Sequence, residues 1–178
     1  MTLLYVTGLA ATGKSAVLGE LRARGYRAYG VDEDEYADWI SQETGEPESM
    51  PALADLDFKI WYQTHYWVLS VPRIAELSRQ ADEFDGPAFL CGTADGDGRV
   101  WHLFSKVIAL VADLATLERR IAVRDNLFGK EPEQFADIVR WHDGFERTYR
   151  GFGAEIVDAT RPLDQVVDHI LAIAGRSF

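Results

Sequence analysis

The chain has 178 residues, of which 47% are hydrophobic and 26% are charged, the profile of one globular domain with a sizeable core. Its formal net charge of −11 argues against nucleic acid or an anionic membrane surface as the main partner. A single cysteine excludes a disulfide within the chain, and the sequence shows neither a secretory signal nor an apolar run that could span a bilayer. We therefore expect one soluble, cytoplasmic domain over residues 1–178, with no nucleic-acid or membrane partner.

The first predicted elements flank a glycine-bearing loop. Residues 2–6 (TLLYV) are apolar and β-branched and predict a strand, and residues 15–25 (SAVLGELRARG) have the spacing of a helix that ends at a glycine. Between them the chain reads GLAATGKS, the pattern Gly-x-x-x-x-Gly-Lys-Ser. Such a loop directs backbone N–H groups at a phosphate. The predicted phosphate-binding residues are Gly8, Ala11, Thr12, Gly13, Lys14, Ser15 and Ala16.

Two aspartates follow the second predicted strand, at 26–32. In the phosphate loop, Lys14 is expected to reach the β- and γ-phosphates of a nucleotide, and the Ser15 hydroxyl to bind Mg²⁺. Asp32 would share the Mg²⁺ through water, and Asp34 would take the proton from a hydroxyl acceptor. The alternative is that these carboxylates only favour the start of the next helix.

Strand-like and helix-like stretches alternate along the rest of the chain. The pattern predicts a helix at 34–45, a polar connection at 46–55 and a long, mostly helical segment at 56–84 that breaks near Pro72. Further strands are predicted at 87–92, 106–113 and 154–159, and further helices at 114–126, 131–152 and 162–175. Five strands alternating with helices predict a three-layer α/β fold with a parallel sheet. Ligands bind such sheets at the carboxyl ends of the strands.

Two later strand ends also carry candidate residues. The loop CGTADGDGR after the third strand offers Asp95 or Asp97 as another base or metal partner, although a plain turn would have the same composition. The helix after the fourth strand carries Arg120 and Arg124 four residues apart, on one face. A cationic segment here is typical of a lid that brings charge to a transferring phosphoryl group.

A group of aromatic residues lies in the long segment predicted to be helical. Trp61 and His65 would share one face of that helix, and Tyr62 and Tyr66 the adjacent face, with Trp67 close by. Core packing is one interpretation of this group, and an aromatic wall beside an acceptor site is the other.

Together, these motifs resemble a small P-loop kinase of the nucleoside-monophosphate-kinase fold, and in layout the shikimate kinases and their relatives. The matching stretches are GLAATGKS, VDEDEY, VIALVADLATLERRIAVR and IVDATRPLDQVVDHI, which are spread over nearly the whole chain. The resemblance implies ATP and Mg²⁺ as cofactors, the sheet order 2-3-1-4-5, an acceptor-binding helical insertion at about 34–84 and a lid at about 124–132.

The resemblance also implies roles for individual residues. Arg120 would lie over the adenine, and Arg161 and Pro162 would form the other wall of that pocket. Arg124 would be the lid cation. On the acceptor side, it implies roles for Lys59 and Arg147, beside Asp34 or Asp95.

Three departures from the shikimate kinase pattern bear on the acceptor. The triple-glycine segment after the third strand is replaced by CGTAD, the Phe-Arg pair of the acceptor region by Phe58-Lys59, and the lid Arg-Pro pair by RDNLFGK. Because lysine cannot give a carboxylate the two-pronged hydrogen bonding of arginine, shikimate is not the expected acceptor.

We expect ATP-dependent phosphoryl transfer to a small molecule, at a hydroxyl group, by a monomer or homodimer. A nucleoside or nucleoside monophosphate is the alternative acceptor. A nucleotide-binding switch or ATPase without an acceptor, and a partner-binding protein with a vestigial site, are the alternatives from other classes.

Overall fold

A parallel five-stranded sheet, buried on both faces, forms the centre of the molecule in a computed structural model that describes residues 2–51, 58–124 and 128–175. Its strands are ordered β2-β6-β1-β7-β8. Numbered among themselves, these strands have the neighbours of the expected order 2-3-1-4-5. The numbering over the whole chain differs because three further strands, which the sequence did not predict, precede the third parallel strand.

The elements alternate in the manner of an α/β fold. In chain order they are β1 (Leu3–Gly8), α1 (Lys14–Ala23), β2 (Arg27–Gly30), β3 (Ala37–Ser41), β4 (Pro47–Glu48), α2 (Phe58–Thr64), β5 (His65–Leu69), α3 (Val71–Ala81), β6 (Ala88–Cys91), a 3₁₀ helix (Asp97–Leu103), β7 (Lys106–Val111), α4 (Leu114–Val123), α5 (Pro132–Gly151), β8 (Glu155–Asp158) and α6 (Leu163–Gly175).

The alternation of side chains along β1 separates two cores. Leu4 and Val6 point to the face covered by α1 and α6. Leu3 and Tyr5 point to the opposite face, where α3, α5 and the 3₁₀ helix pack. All six residues of β1 are buried, as expected for a parallel strand covered on both sides. This packing fixes the carboxyl end of β1, where the glycine-bearing loop begins.

The insertion between β2 and α3 differs from the prediction. Residues 34–45 were expected to be helical, but β3 lies there, and β5 interrupts the expected helix at 56–84. The three strands form a second, antiparallel sheet in the order β4-β3-β5, which places Trp39 opposite Trp67 and Ile40 opposite Tyr66. These aromatic and β-branched cross-strand pairs favour a sheet over a helix.

The ends of this insertion meet at one point. The backbone N–H of Ser70 donates to the carbonyl of Tyr36 at 2.9 Å, directly beyond the last β3–β5 pair. Pro72 lies in the first turn of α3. It therefore begins a helix, where its missing N–H costs nothing, rather than kinking one.

A buried carboxylate links the 3₁₀ helix to α5. Asp97 is 7% exposed and accepts a hydrogen bond of 2.9 Å from the Tyr149 hydroxyl. Burial raises the pKa of Asp97, and the hydrogen bond from Tyr149 opposes that rise. The folded protein therefore holds a proton on Asp97 at a pH where the unfolded chain has released it.

This shift predicts a pH dependence of stability. The stabilisation that comes from protonated Asp97 is complete below about pH 4, the usual aspartate pKa, and is lost as pH rises through the folded pKa. We expect Asp97→Asn to flatten the fall in unfolding free energy over that interval, measured by urea denaturation at a series of pH values. The exposed Asp85→Asn is the control. A wild-type pH slope in Asp97→Asn would contradict the assignment.

Candidate active site

The strand–loop–helix arrangement that the GLAATGKS motif predicts is present. The loop leaves β1 at Gly8 and enters α1 through Gly13, whose φ of 105° favours glycine. A Cβ atom on Gly8 would lie 2.8 Å from the Leu110 carbonyl oxygen and 2.6 Å from the Thr12 hydroxyl, so no larger residue fits at this position. Ala11 also has a positive φ, of 65°. Ser15 and Ala16 are exposed in the first turn of α1, at the end of the helix that attracts anions.

Lys14 is folded against the loop. Its ammonium group donates hydrogen bonds to the carbonyl oxygens of Gly8 at 2.7 Å and Leu9 at 2.9 Å. Loss of hydration lowers the pKa of Lys14 to about 8, although the nearby carboxylate of Asp32 opposes that shift and Arg124 adds to it. Because both residues act on Lys14 electrostatically, the structure brings the predicted lysine, aspartate and arginine to one place.

Trp67 joins two carboxylates beside this loop. Its indole N–H donates to Asp32 at 3.2 Å, and its backbone N–H donates to the Asp95 carboxylate at 2.9 Å. The backbone N–H of Asp95 in turn donates to the Trp67 carbonyl at 2.6 Å. Desolvation raises the pKa of both carboxyl groups. Strand β5 thus holds Asp95, the alternative base, in the same cleft as Asp32.

Asp34 is placed differently from the expectation. Its carboxylate accepts from the backbone N–H of Gly30 at 2.7 Å and pairs with Arg22 at 2.6 Å. It also lines a groove with Tyr36 and Arg73, on the α3 side of the insertion. Both hydrogen bonds reach the same carboxylate oxygen of Asp34. These contacts give Asp34 a structural role in the turn after β2, and the choice between Asp34 and Asp95 as the base stays a prediction.

This placement makes Asp34→Asn a stability variant. We expect it to lower the unfolding free energy by about 1 kcal/mol, because the pair with Arg22 is partly exposed and asparagine keeps an oxygen that can accept from the Gly30 N–H. Turnover of the folded variant should stay within about twofold of wild type, since a substitution outside the reacting groups leaves the barrier unchanged. Chemical denaturation and steady-state kinetics test this, with the exposed Glu35→Gln as control. A 100-fold loss of turnover would return the base role to Asp34.

Arg120 ties the phosphate loop to the segment after β8. Its guanidinium donates to the carbonyl oxygens of Thr12 at 3.1 Å and Ala159 at 2.7 Å. Arg161 is exposed and pairs with Asp158 at 3.5 Å, and Pro162 directly precedes α6. Arg120 of α4 is therefore bonded to the loop that carries Arg161 and Pro162, and the role of these residues in binding adenine stays a prediction.

Arg124 lies at the end of α4, and its guanidinium donates to the Phe128 carbonyl. Desolvation lowers the pKa of Arg124. Of the expected lid, residues 125–127 lie outside the described residues. The part that follows them reaches the insertion, because the Phe128 ring lies 5.4 Å from that of Tyr62.

Of the two further residues expected near the acceptor, Arg147 is fully described and Lys59 only in its backbone. Arg147 lies on α5 and lines a groove of about 940 Å³ between that helix and the carboxyl ends of β7 and β8. The backbone of Lys59 is part of α2, but its side chain lies outside the described residues. Their roles in binding the acceptor stay predictions.

Ser15 and Asp32 remain the residues suited to hold Mg²⁺. Among the described residues there is no group of three or more His, Cys, Asp or Glu side chains that could hold a metal. Mg²⁺ in kinases needs no such cage, because one or two protein oxygens suffice beside water and phosphate oxygens. A hydroxyl in the first turn of α1 and a carboxylate acting on Lys14 fit this chemistry.

Sequence reasoning missed two members of an aromatic cluster at this site. We call Trp39, Tyr62, Trp67 and Phe128 the aromatic wall. The Trp39 ring lies 5.1 Å from Tyr62 and 5.0 Å from Trp67. Behind it, Trp61 is buried and stacks on His65 at 3.6 Å. Trp39 was assigned to a helix, so its pairing with Trp67 could be found only by recognising the antiparallel sheet.

Comparison with known proteins identifies the fold. No family model matches the chain, and no curated protein matches it in sequence. Solved structures do match over nearly their whole length. A sugar kinase from Janibacter sp. HTCC2649 has a TM-score of 0.56 and 16% identity, covering 97% of this chain and 93% of that one. Shikimate kinase from Aquifex aeolicus has a TM-score of 0.55 and 17% identity, covering 98% of each chain.

A deoxyadenosine kinase from M. mycoides is similar to the same extent, with a TM-score of 0.53, 16% identity and coverage of 98% of this chain and 99% of that one. The chain therefore has the P-loop kinase fold that the resemblance implied. None of the helices in the described part of the chain is long and apolar enough to cross a membrane.

Proposed function

We propose that the protein is an ATP- and Mg²⁺-dependent kinase that phosphorylates a hydroxyl group of a small molecule. The observation that carries this proposal is the glycine-bearing loop between β1 and α1 with Lys14 folded against it, and a pair of carboxylates, Asp32 and Asp95, linked through Trp67. The similar structures are a sugar kinase, a shikimate kinase and a deoxyadenosine kinase, and this likeness supports the proposal.

The donor half of the site neutralises phosphate charge. Loop N–H groups and the start of α1 would hold the phosphates, and Lys14 would exchange the carbonyls of Gly8 and Leu9 for phosphate oxygens. Ser15 and Asp32 would hold Mg²⁺, which when bound neutralises charge on the β- and γ-phosphates. Arg124, close enough to act on Lys14, would add positive charge opposite the transferring group.

The acceptor half supplies a base. The Asp95 carboxylate would accept the proton of the acceptor hydroxyl as its oxygen bonds to the γ-phosphorus and the bond to the leaving ADP breaks. A phosphate acceptor would need cations at this position and no base. The carboxylate pair therefore favours a hydroxyl acceptor over a nucleoside monophosphate.

A kinase needs a binding site for an acceptor, whereas a nucleotide-binding switch or an ATPase does not. A switch needs no second carboxylate and no aromatic wall beside the phosphate loop. A nucleoside is the second candidate acceptor, because its base could stack on Trp39 or Trp67. We propose further that the protein is cytoplasmic and acts as a monomer or homodimer.

Calorimetric titration tests the donor assignment. A non-hydrolysable ATP analogue with Mg²⁺ is expected to bind about tenfold more tightly than the GTP analogue, a difference of about 1.4 kcal/mol. The expectation rests on Arg120, which joins the phosphate loop to Ala159 at the proposed adenine position. Equal or tighter GTP binding would contradict it.

ADP formation that does not rise with any added acceptor would instead favour an ATPase or switch.

A further inference from the structure

We propose that the acceptor is a hydroxylated ring compound that carries no negative charge, bound against the Trp39 and Trp67 rings with its hydroxyl at Asp95. This inference rests on the proposed kinase function and names the class of acceptor. It concerns the aromatic wall, which that function alone does not explain.

The antiparallel register makes the wall a continuous surface. Trp39 and Trp67 are directly opposed in the β3–β5 pair, with ring centroids 5.0 Å apart and planes at 44°. Both rings are only partly buried, so apolar area remains for contact. Tyr62 meets the face of the cluster at 5.1 Å from Trp39 and with its plane at 86°. The rings are tilted to one another, so each indole offers its own face, and exposed aromatic faces bind planar rings and sugars.

The layer behind the wall holds it in place. Trp61 is 8% exposed and lies 6.1 Å from Trp39, edge to face. Its stacking partner His65 is equally buried and pairs with Glu48 of β4 at 3.2 Å. Contacts on the far side therefore restrict the Trp39 ring, which lowers the entropy lost when a ligand packs on it.

The charge beside the wall is negative. Asp95 and Asp32 are bonded to the backbone and the indole of Trp67. Desolvation raises the pKa of Tyr62, and both carboxylates raise it further. Lys14 in the phosphate loop and Arg124 at the end of α4 would face the phosphates of ATP, and Mg²⁺ would offset the charge of Asp32. An anionic acceptor would thus meet the carboxylate of Asp95, at a cost in affinity, whereas an uncharged or cationic one would not.

Phe128 connects the wall to the donor half of the site. Its ring contacts Tyr62 at 5.4 Å, and its carbonyl accepts from Arg124. A ring compound held at Trp39 and Trp67 would therefore lie next to the segment that also binds Arg124, the cation proposed to face the transferring phosphoryl group. This places the acceptor hydroxyl between the wall and the phosphate loop, as in-line transfer requires.

A matched acceptor panel tests the inference. ADP formation with ATP and Mg²⁺ is measured with uncharged ring compounds (nucleosides, cyclitols), amine-bearing cyclitols and carboxylated compounds (shikimate, gluconate). Turnover should be confined to the first two sets. A preference for the carboxylated set, or ADP formation that no ring compound raises, would overturn it. If the carboxylated compounds were preferred and Lys59→Ala removed that preference, Lys59 would be the residue that binds the carboxylate, and the inference would be wrong.

Substitutions of the wall give a second, independent readout. Trp39→Leu should raise the KM for the acceptor by about 10- to 100-fold, the range for losing one stacked aromatic partner, and leave the KM for ATP unchanged. Trp39→Phe should restore most of the loss. The exposed Trp141→Leu on α5 is the matched control. If Trp39→Leu is poorly folded, the partly exposed Tyr62→Leu serves the same purpose.

The two proposals fail differently. An unchanged acceptor KM in both wall variants overturns this inference while the kinase function stands. Absence of ATP-analogue binding in calorimetry overturns the kinase function itself. Efficient transfer to an anionic acceptor overturns only the charge class proposed for the acceptor.

Discussion

Replacing Lys14 with methionine is expected to lower kcat for phosphoryl transfer by about 1,000-fold, the loss typical of a preorganised group that stabilises transition-state charge. The variant should stay folded, because methionine has a similar length and the hydrogen bonds lost are those to Gly8 and Leu9 within the loop. Steady-state kinetics and thermal unfolding measure the two quantities.

Lys106→Met is the matched control for this substitution. Lys106 is the first residue of β7 and pairs with Glu155 at 3.7 Å. It therefore lies at the amino-terminal ends of the strands, opposite the ends where the phosphate loop begins. Its replacement should leave kcat within about twofold, since no reacting group is touched. Wild-type turnover in a folded Lys14→Met protein would refute the phosphate-loop assignment.

The pKa of Lys14 adds a test that needs no substrate. Its value of about 8 in the folded protein lies below the usual lysine pKa of about 10.4. Between these values the unfolded chain binds a proton that the folded protein lacks, so unfolding free energy should rise with pH from 8 to 10.4. Lys14→Met should lack this rise in urea denaturation, and Lys106→Met should retain it.

Asparagine substitution at Asp95 should produce the second large effect. Loss of a positioned base costs about 100- to 10,000-fold in rate, so kcat should fall by that factor while ATP affinity stays nearly unchanged. Asparagine keeps an oxygen to accept from the Trp67 backbone N–H, so the loop after β6 should keep its position. Steady-state assays with an acceptor from the panel would measure kcat.

Asp32→Asn provides the contrast. If Asp32 acts through Mg²⁺, its replacement should raise the Mg²⁺ concentration needed for half-maximal rate, and saturating Mg²⁺ should restore part of kcat. Asp95→Asn should show no such rescue. A wild-type kcat in Asp95→Asn would exclude the base role and favour an acceptor that needs no base.

The phosphate half of the site was predictable from sequence because its signals are local. The motif from Gly8 to Ser15 lies between β1 and the first turn of α1. The buried strands β1 and β7 are nearly continuous apolar runs in the sequence. Parallel strands that alternate with helices permit few topologies. The order of the elements then predicts that Lys14, Asp32 and Arg120 lie at the carboxyl ends of the parallel strands.

The acceptor half was not predictable because its contacts are distant in sequence. The helix expected at 34–45 is replaced by β3, which is stabilised by β5 some thirty residues away. Asp34 and Asp32 are both near the end of β2, and only the capture of Asp34 by Gly30 and Arg22 separates their roles. In the sequence, nothing distinguished Asp95 from the other aspartates of its loop. The structure does, because Trp67 bonds to both Asp95 and Asp32.

The hydrogen bond between Ser70 and Tyr36 has an evolutionary consequence. Because the two ends of the insertion meet at this 2.9 Å contact, a segment of another length or sequence can join the same two points. Insertions whose ends lie close together can be replaced without reorganising the scaffold that carries them. Under the proposed function, acceptor selectivity would then change with this segment while the phosphate loop around Lys14 stays the same.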